Sequence, residues 1–341
     1  MFTRRLIGLA ALLLAAAAAA PALAQSDPYL PISAEAQVQA MQRGVNIIGY
    51  DPVWNGGEAR FQDRHFKLIK DGGFQTVRMV LQAFRHMDAD NQLNPRWLAT
   101  LDGYVDAALA QGLTVILDEH DFNICAEDVV ACRPKLMAFW AQISTRYADK
   151  PNTVVFELMN EPNGATDAVW NDYAAEALAI VRRTNPTRNV IIGPGSWNSI
   201  DTLENLRLPA DDRHIIATVH YYGPMRFTHQ GASWTPMFTE TGIAWGSPED
   251  RAAVAADLDK AEAWSEANGR PLLLGEFGAY DKAPMASRAA WTDAVARAAE
   301  TRGWAWAYWQ FDSDFIVYDI PADRWVQPIH EALIPEMRDP S

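Results

Sequence analysis

The sequence is poor in cysteine and, after its first 24 residues, contains no long apolar run. Only two cysteines occur in the 341 residues, and a metal site is not expected from two cysteines alone. A transmembrane helix needs about 20 consecutive apolar residues, and no segment after residue 24 approaches that length. The sequence therefore predicts neither a thiolate metal centre nor a membrane anchor.

Positive charge is also scarce. The 29 lysines and arginines are outnumbered by 43 aspartates and glutamates, which gives a net charge of −14 at pH 7. An acidic protein repels the phosphate backbone of nucleic acids and the headgroups of anionic lipids. Neither kind of partner is expected. The charge is compatible with a neutral substrate, although a requirement for solubility would also account for it.

The first 24 residues have the composition of a secretory signal peptide. Two arginines precede an apolar run over residues 6–20, and Ala22-Leu23-Ala24 provides a small-x-small cleavage site. The sequence therefore predicts export to the periplasm or the extracellular space. Either the general or the twin-arginine route is compatible with this leader.

The remaining residues, 25–341, are expected to form a single catalytic domain. No Ser/Gly linker, charge block or low-complexity segment divides them, and we expect this domain to act as a monomer. In an oxidising compartment, Cys125 and Cys132 favour a local disulfide. On the chain-entropy model a disulfide that closes so short a loop contributes roughly 2 to 3 kcal/mol to stability.

Eight short runs rich in β-branched and aromatic residues alternate with helical stretches. This alternation is typical of a closed parallel barrel, and we predict a (β/α)8, or TIM, barrel of the α/β class. An open doubly wound sheet is the alternative, but no G-x-G-x-x-G motif follows the first run. The predicted strands are residues 45–48, 76–79, 114–117, 154–157, 190–192, 215–219, 272–274 and 305–309.

Two of these runs end in a carboxylate. Asn160-Glu161-Pro162 follows the fourth run, and Pro162 ends the strand because it has no N–H for the ladder. Gly275-Glu276-Phe277-Gly278 follows the seventh run. Active sites of (β/α)8 barrels lie at the carboxyl ends of the strands, so we expect both glutamates in one site. Two carboxylates are the minimum requirement for glycoside hydrolysis.

Other strand ends carry polar and aromatic side chains, namely Arg78, His120, His220-Tyr221-Tyr222 and Trp309. With the two carboxylate motifs, in this order over eight strands, the sequence resembles glycoside hydrolase family 5, the cellulase-type retaining β-glycanases of clan A. The resemblance covers essentially all of residues 25–341. It implies that Glu161 is the general acid/base and that Glu276 is the nucleophile.

The chemistry of the neighbouring residues makes this division of roles reasonable. We expect Arg78 to keep Glu276 ionised, while burial and the nearby negative nucleophile raise the pKa of Glu161. Asn160 can donate a hydrogen bond to the 2-hydroxyl of the sugar, a contact that strengthens in the transition state.

Three further side chains are expected to position the substrate or the carboxylates. Tyr222 can donate a hydrogen bond to the nucleophile and so help to set its position and basicity. His120 and His220 are expected to be neutral donors and acceptors that hold sugar hydroxyls or orient the carboxylates, without titrating in the mechanism.

The sequence contains 13 tryptophans, more than a core of this size needs, because a buried indole N–H must find a partner. We expect Trp309 to form a platform under the sugar that is cleaved. The segment 223–247 is long for a loop and is expected to be functional, with His229, Gln230 and Trp234 on the leaving-group side. Candidates for flanking sugar subsites are Trp54, Trp197, Trp234 and Trp245.

Rival classes of protein are less well supported. Asp118-Glu119-His120-Asp121 could supply metal ligands, but no His-x-His pair after the first strand completes such a site. No metal and no cofactor are therefore expected. A non-catalytic sugar-binding barrel would have lost one of the two carboxylates, and both are present. A serine hydrolase is disfavoured because no G-x-S-x-G motif occurs.

The expected substrate is a β-1,4-linked polysaccharide or oligosaccharide that is cut at internal bonds. Our first choice is an endo-β-1,4-glucanase, or cellulase. An endo-β-1,4-mannanase or a xyloglucanase is the alternative, since one fold serves several glycans and the groove loops decide between them.

Overall fold

Eight parallel strands form a closed barrel in the computed structural model, which describes residues 29–337. Each strand pairs with the next one along the chain, and the eighth closes the barrel on the first. The (β/α)8 prediction is confirmed, whereas the predicted signal peptide lies outside the described residues. The strands are β1 Arg43–Ile47, β2 Thr76–Leu81, β3 Thr114–Glu119, β4 Val154–Glu157, β5 Val190–Ile192, β6 Ile215–Tyr221, β7 Leu272–Phe277 and β8 Ala305–Tyr308.

Helices lie between the strands and cover the outside of the barrel. A hairpin of two short strands, Tyr318–Asp319 and Arg324–Trp325, follows β8. Between residues 29 and 337, no helix has both the length and the apolar character that crossing a membrane requires. Within residues 29–337, the α-helices of six or more residues are α1 Ala34–Met41, α2 Asp63–Asp71, α3 Pro95–Ala110, α4 Phe122–Glu127, α5 Val129–Arg146, α6 Trp170–Arg182, α7 Pro248–Asn268, α8 Met285–Thr301 and α9 Gln327–Leu333.

Local sequence explains both ends of the 21-residue helix α7. At its start, the Ser247 hydroxyl accepts a hydrogen bond from the Asp250 N–H, and the Asp250 carboxylate accepts one from the Ser247 N–H. Pro248 occupies the first turn, where its missing N–H costs nothing. The helix ends at Gly269, whose φ of 56° is a left-handed conformation that glycine adopts without strain.

The interior of the barrel is apolar at its amino-terminal end and charged at its centre. At the amino-terminal end, α1 packs on inward-facing residues of six strands, Ile116, Val155, Ile191, Ile216, Leu273 and Ala305. Side chains alternate between the two faces of a strand, so the next inward residues on β3 and β4 are Asp118 and Glu157. Arg78 of β2 contacts both carboxylates. The alternation thus places charged groups at the centre of the barrel.

A register shift in β7 determines where Glu276 points. Leu274 pairs with Val219 of β6, but the next pair is Glu276 with His220, so Gly275 is an extra residue in a β-bulge. Leu274 packs outside the barrel, and strict alternation would turn Glu276 outward as well. The bulge reverses this and turns the carboxylate inward, beside His220.

Cys125 and Cys132 form the predicted disulfide, which joins α4 to α5. Both side chains are fully buried. Helix α4 packs against a short 3-10 helix, Gly164–Ala168, which follows Glu161 closely in the chain. The disulfide therefore braces a segment that borders the carboxyl end of β4.

Candidate active site

Glu161 and Glu276 lie together at the carboxyl ends of β4 and β7. Three atoms lie within 4.8 Å of one another: one carboxylate oxygen of each glutamate and one ring nitrogen of His220. Nδ1 of His220 is 2.7 Å from Oε1 of Glu161 and 3.6 Å from Oε2 of Glu276. Carboxyl groups about 5 to 5.5 Å apart are typical of retaining glycosidases, whereas inverting enzymes separate theirs by about 6.5 to 9.5 Å. The arrangement here resembles the closer pair.

The backbone at Glu161 is held in an uncommon conformation. Its φ of 40° lies in the left-handed region, which costs a residue with a side chain about 1 to 2 kcal/mol. The Asn163 side chain donates to the Glu161 carbonyl oxygen at 2.9 Å. The backbone N–H of Trp197 donates to the Pro162 carbonyl oxygen at 3.0 Å. These contacts hold the segment after β4 so that Glu161 faces the centre of the site.

Arg78 is fully buried and connects the strands that carry the site. Its Nε and Nη2 donate to the two carboxylate oxygens of Glu157 at 2.7 and 2.9 Å. Nη1 donates to Glu276 and to Asn46, both at 2.8 Å. Nη2 also donates to Oδ1 of Asn160 at 2.8 Å. All five N–H groups therefore have acceptors, an arrangement that lysine cannot reproduce.

Tyr222 and His220, at the end of β6, contact the two carboxylates. The Tyr222 hydroxyl donates to Oε2 of Glu276 at 2.9 Å, the contact expected from the sequence. On its other side, Nε2 of His220 is 3.3 Å from Nδ2 of the buried Asn198. Asn198 ends a turn of three successive residues with positive φ, 196–198. This turn directs the asparagine inward to His220.

Burial changes the pKa values of the acid and base groups. It raises the pKa of Glu161 to about 8, against the opposing charge of Arg78. It lowers the pKa of His120 to about 3 and that of His220 to about 4, so both imidazoles are neutral near pH 7. At that pH Glu161 retains its proton and can act as an acid.

The expected contact between Arg78 and Glu276 is present, but Arg78 does not act on the pKa of Glu276 alone. Burial raises the pKa of Glu276 above the ordinary value of a glutamate, while the charge of Arg78 favours its anion. Arg78 divides its charge among three buried carboxylates, those of Glu276, Glu157 and Asp118. One guanidinium cannot offset the desolvation of all three.

Trp309 and His120 form an aromatic wall of the site. Their rings are stacked, with planes 5° apart and centroids 5.7 Å apart. Tyr50, which follows β1, meets Trp309 edge to face with centroids 6.5 Å apart. Trp309 is 8% exposed and Tyr50 is 51% exposed. The open face of this group is Tyr50, an aromatic residue that the sequence interpretation did not select.

Two of the tryptophans expected to flank the site are buried. Trp54 packs on Trp97, and its indole N–H donates to the Ile48 carbonyl oxygen at 2.6 Å. Trp245 is buried against Phe227. The prediction that Trp54 and Trp245 form sugar subsites is therefore wrong, because neither indole offers a face to solvent.

The other two flanking tryptophans are exposed. Trp197 is 54% exposed and lies on the turn that contacts Pro162, directly after Glu161. Trp234 is 48% exposed and packs edge to face on Tyr280, with centroids 4.9 Å apart. Both indoles can present a face to a pyranose ring.

The loop 223–247 carries Trp234 and is stabilised from within. Nε2 of Gln230 donates to the carbonyl oxygens of Phe227 and Ile243, and its Oε1 accepts from the Ile243 N–H. Gln230 is fully buried, so its expected place on the leaving-group side is wrong. His229 is also buried, with its ring edge to face on Tyr222.

Four polar residues of the site were not selected from the sequence, namely Asn46, Asp118, Glu157 and Asn198. Glu157 offered a signal, since a charged residue within an apolar run needs a buried partner. Asp118 had been considered only as a metal ligand with Glu119. The structure separates these two neighbours, because Asp118 contacts Arg78 and His120 while Glu119 accepts from the Asp121 N–H.

Comparison with known families agrees with this geometry. Residues 38–314 match the family described as Cellulase (glycosyl hydrolase family 5). The chain belongs to this family. It is therefore a glycoside hydrolase built on a (β/α)8 barrel, and the family resemblance stated from its motifs is confirmed.

Two curated relatives of this chain are endoglucanases. The chain is 32% identical over 296 residues to Endoglucanase H of Acetivibrio thermocellus, a match that covers 83% of the chain. It is 31% identical over 295 residues to Endoglucanase A of Clostridium longisporum, which covers 81% of the chain. These matches cover 31% and 55% of the two relatives. The chain thus spans about a third to just over half of their length.

Solved family 5 structures match the barrel over nearly their whole length. Thermotoga maritima Cel5A in complex with cellobiose is 36% identical, with a TM-score of 0.83 over 88% of this chain and 99% of that one. The cellulose synthase subunit Z (CcsZ) of Clostridioides difficile is 35% identical, with a TM-score of 0.82 over 86% of this chain and 99% of that one.

Proposed function

We propose that this protein is an exported, retaining endo-β-1,4-glucanase that acts by double displacement. The observation that carries this proposal is the pair of carboxyl groups with different partners. Glu276 is contacted by both Arg78 and Tyr222, and Glu161 has a pKa raised to about 8. One group suits a nucleophile whose anion is stabilised, and the other suits a proton donor.

In the first step, an oxygen of the Glu276 carboxylate attacks the anomeric carbon as the bond to the leaving oxygen breaks. Glu161 donates its proton to that oxygen, so the leaving group departs as a neutral alcohol. The product is a glycosyl ester on Glu276. The hydrogen bonds from Arg78 and Tyr222 stabilise the carboxylate before attack and hold it in line.

In the second step, Glu161 acts as a base. It takes a proton from a water molecule, which attacks the anomeric carbon and releases the Glu276 carboxylate. Two inversions at one carbon retain its configuration. Glu161 regains its proton and is ready for the next substrate, a cycle for which a pKa near the working pH is well suited.

The groove residues define where the sugar lies. Asn160 donates to the 2-hydroxyl of the sugar that is cleaved, and Trp309 borders that sugar with the small part of its indole that is exposed. His120 and His220 complete the polar surroundings. Trp197 supports a sugar on the Glu161 side, and Trp234 supports one beside Tyr280, since both are exposed. An open groove with several sugar platforms favours cleavage within chains.

A β-1,4-glucan is the preferred substrate in this proposal, because the two relatives named above are endoglucanases and a 36% identical structure holds cellobiose. A β-1,4-mannan is the second candidate, because a structure of Thermotoga maritima Cel5A is in complex with mannotriose. Initial rates on carboxymethylcellulose, barley β-glucan, xyloglucan and glucomannan, measured side by side, decide between them. Rates highest on glucomannan would replace the glucanase assignment by a mannanase.

The mechanism is tested by trapping its intermediate. An aryl 2-deoxy-2-fluoro-β-cellobioside should inactivate the enzyme, because the fluorine slows the second step more than the first. Mass spectrometry of peptic fragments should place the added sugar on Glu276. Labelling of another residue, or an α-configured product from the natural substrate, would overturn the double displacement.

A further inference from the structure

Four buried side chains form a closed ring at one edge of the site. Oδ2 of Asp118 is 2.6 Å from Nδ1 of His120, and Nε2 of His120 is 3.3 Å from Nδ2 of Asn160. Oδ1 of Asn160 accepts from Nη2 of Arg78 at 2.8 Å. The same Nη2 forms an ion pair with Oδ2 of Asp118 at 3.1 Å. Asp118 is fully buried and has no direct place in the chemistry described above.

The direction of every hydrogen bond in this ring follows from Arg78. A guanidinium only donates, so the Asn160 atom that faces it must be the oxygen. The amide nitrogen of Asn160 therefore faces His120 and donates to it. His120 is neutral, so if Nε2 accepts, Nδ1 carries the proton and donates to Asp118. Asp118 is the acceptor that makes this tautomer the favourable one.

We propose that Asp118 is a positioning residue that sets the tautomer of His120 and, through it, the orientation of the Asn160 amide. One amide N–H of Asn160 is then engaged by His120, and the second N–H is left to donate to the 2-hydroxyl of the sugar. With the other tautomer, an N–H of His120 would face an N–H of Asn160, and the amide would have to turn away. This inference rests on the proposed function, in which Asn160 binds that hydroxyl.

The protonation of Asp118 is compatible with this role. Burial raises the pKa of Asp118 to about 8, against the opposing charge of Arg78. Its Oδ1 is buried and has no hydrogen-bond partner among residues 29–337. A proton retained by the carboxyl group therefore resides on Oδ1, which leaves Oδ2 free to accept from His120.

The first test reads the tautomer directly in the wild-type enzyme. Long-range ¹H–¹⁵N NMR spectra of ¹⁵N-histidine-labelled protein distinguish a protonated ring nitrogen from an unprotonated one. The signals of His120 are assigned by their loss in His120→Gln. We expect Nδ1 to be protonated and Nε2 to be unprotonated. A proton on Nε2 would overturn the proposal, whatever the activity of the enzyme.

The second test compares two substrates on one preparation. These are an aryl β-cellobioside and its analogue without the 2-hydroxyl on the sugar next to the aryl group. Asp118→Ala should reduce the preference for the first substrate by about tenfold, the effect of one hydrogen bond to the reacting sugar. Asp118→Asn should keep this preference, because its carbonyl oxygen can replace Oδ2 as the acceptor for His120. The ratio of the rates on the two substrates does not depend on how much of the variant is folded, because both rates are measured on the same preparation.

Glu119→Ala is the matched control, since it removes a carboxyl group from a buried neighbour that contacts the Asp121 N–H and not His120. Its preference for the 2-hydroxyl should equal that of the wild type. Equal slowing of both substrates by Asp118→Ala would reduce Asp118 to a structural role. Failure of the wild type to cleave either cellobioside would instead count against the proposed function, and the NMR result would still decide the tautomer.

Discussion

Glu161 is partly buried and Glu276 is buried, both at strand ends, yet their surroundings differ. Glu276 accepts hydrogen bonds from Arg78 and Tyr222, one on each carboxylate oxygen. Within the described residues, the carboxyl group of Glu161 has a single partner at hydrogen-bonding distance, the Nδ1 of His220. The side chain of Glu161 is also the more open of the two, 15% exposed against 5%. Desolvation acts on both, so the difference lies in the partners.

This comparison shows how one fold assigns two roles to one residue type. Desolvation alone would make both carboxyl groups weak acids. A cation and a phenol beside Glu276 favour its anion, whereas a neutral imidazole beside Glu161 does little to do so. The role of each glutamate is therefore set by residues on other strands, Arg78 on β2 and Tyr222 after β6.

The largest effect on activity is expected when Glu276, the carboxylate with two hydrogen-bond donors, is removed. Glu276→Ala should lower kcat by roughly 10⁵-fold, because no other group can form the glycosyl ester. Added azide should restore turnover and give the α-glycosyl azide, which NMR of the product identifies. If Glu276→Ala hydrolysed substrate at a rate close to that of the wild type, Glu276 would not be the nucleophile.

Removal of Glu161 should have a smaller and substrate-dependent effect. Glu161→Ala should slow the hydrolysis of cello-oligosaccharides by about 10² to 10⁴-fold, the usual contribution of a general acid. The first step with a 2,4-dinitrophenyl cellobioside should be affected much less, because that leaving group needs no proton. Pre-steady-state release of dinitrophenol measures this step; equal losses on both substrates would argue against an acid role.

The pH dependence of the first step follows from the same residue. Glu161 must be protonated to act as the acid, and burial raises its pKa to about 8. The rate constant should therefore be high below this pKa and fall as the pH rises through about 8. Both the wild type and Glu161→Ala are measured with the same cello-oligosaccharide, whose leaving group needs a proton, and in Glu161→Ala this alkaline decline should disappear. A decline that persists unchanged would have to be assigned to another group.

Tyr222→Phe tests one of the two contacts that distinguish Glu276. Loss of its hydrogen bond should lower kcat by roughly tenfold or more, since a hydrogen bond to a charged group contributes about 1.5 to 3 kcal/mol. Tyr221→Phe is the matched control, because the Tyr221 hydroxyl donates to Asp257, away from both carboxylates. Steady-state kinetics should separate the two variants. Equal losses would indicate a general effect of altering β6.

The smallest effect is expected on the sugar platform beside Glu161. Trp197→Ala should raise KM for cellohexaose by a few-fold to tenfold and leave the KM for a short aryl cellobioside nearly unchanged, because stacking on an aromatic ring contributes about 0.5 to 1.5 kcal/mol. Trp54→Ala should instead lower the melting temperature, since Trp54 is buried. An unchanged KM for the long substrate in Trp197→Ala would remove this residue from the groove.

Sequence patterns predicted the barrel because each strand has a run of β-branched and aromatic residues that does not depend on distant partners. They also predicted the residues that follow these runs, since the fold brings strand ends together. Glu157 was missed because its partner, Arg78, is 79 residues away in the chain. Trp54 was misassigned because an indole N–H bonded to a backbone carbonyl leaves no pattern in the sequence.

Gly275 limits the sequence changes that β7 can accept. An alanine there would bring its methyl group to 2.6 Å from Oγ1 of Thr218 and 3.0 Å from Nε2 of His220, so the bulge accepts no larger residue. Deletion of Gly275 would place Glu276 directly after Leu274, and strict alternation would then also turn its carboxylate inward. In evolution, a β7 that is one residue shorter can therefore keep the glutamate in the site without a bulge, whereas a β7 of the present length needs glycine at the bulge.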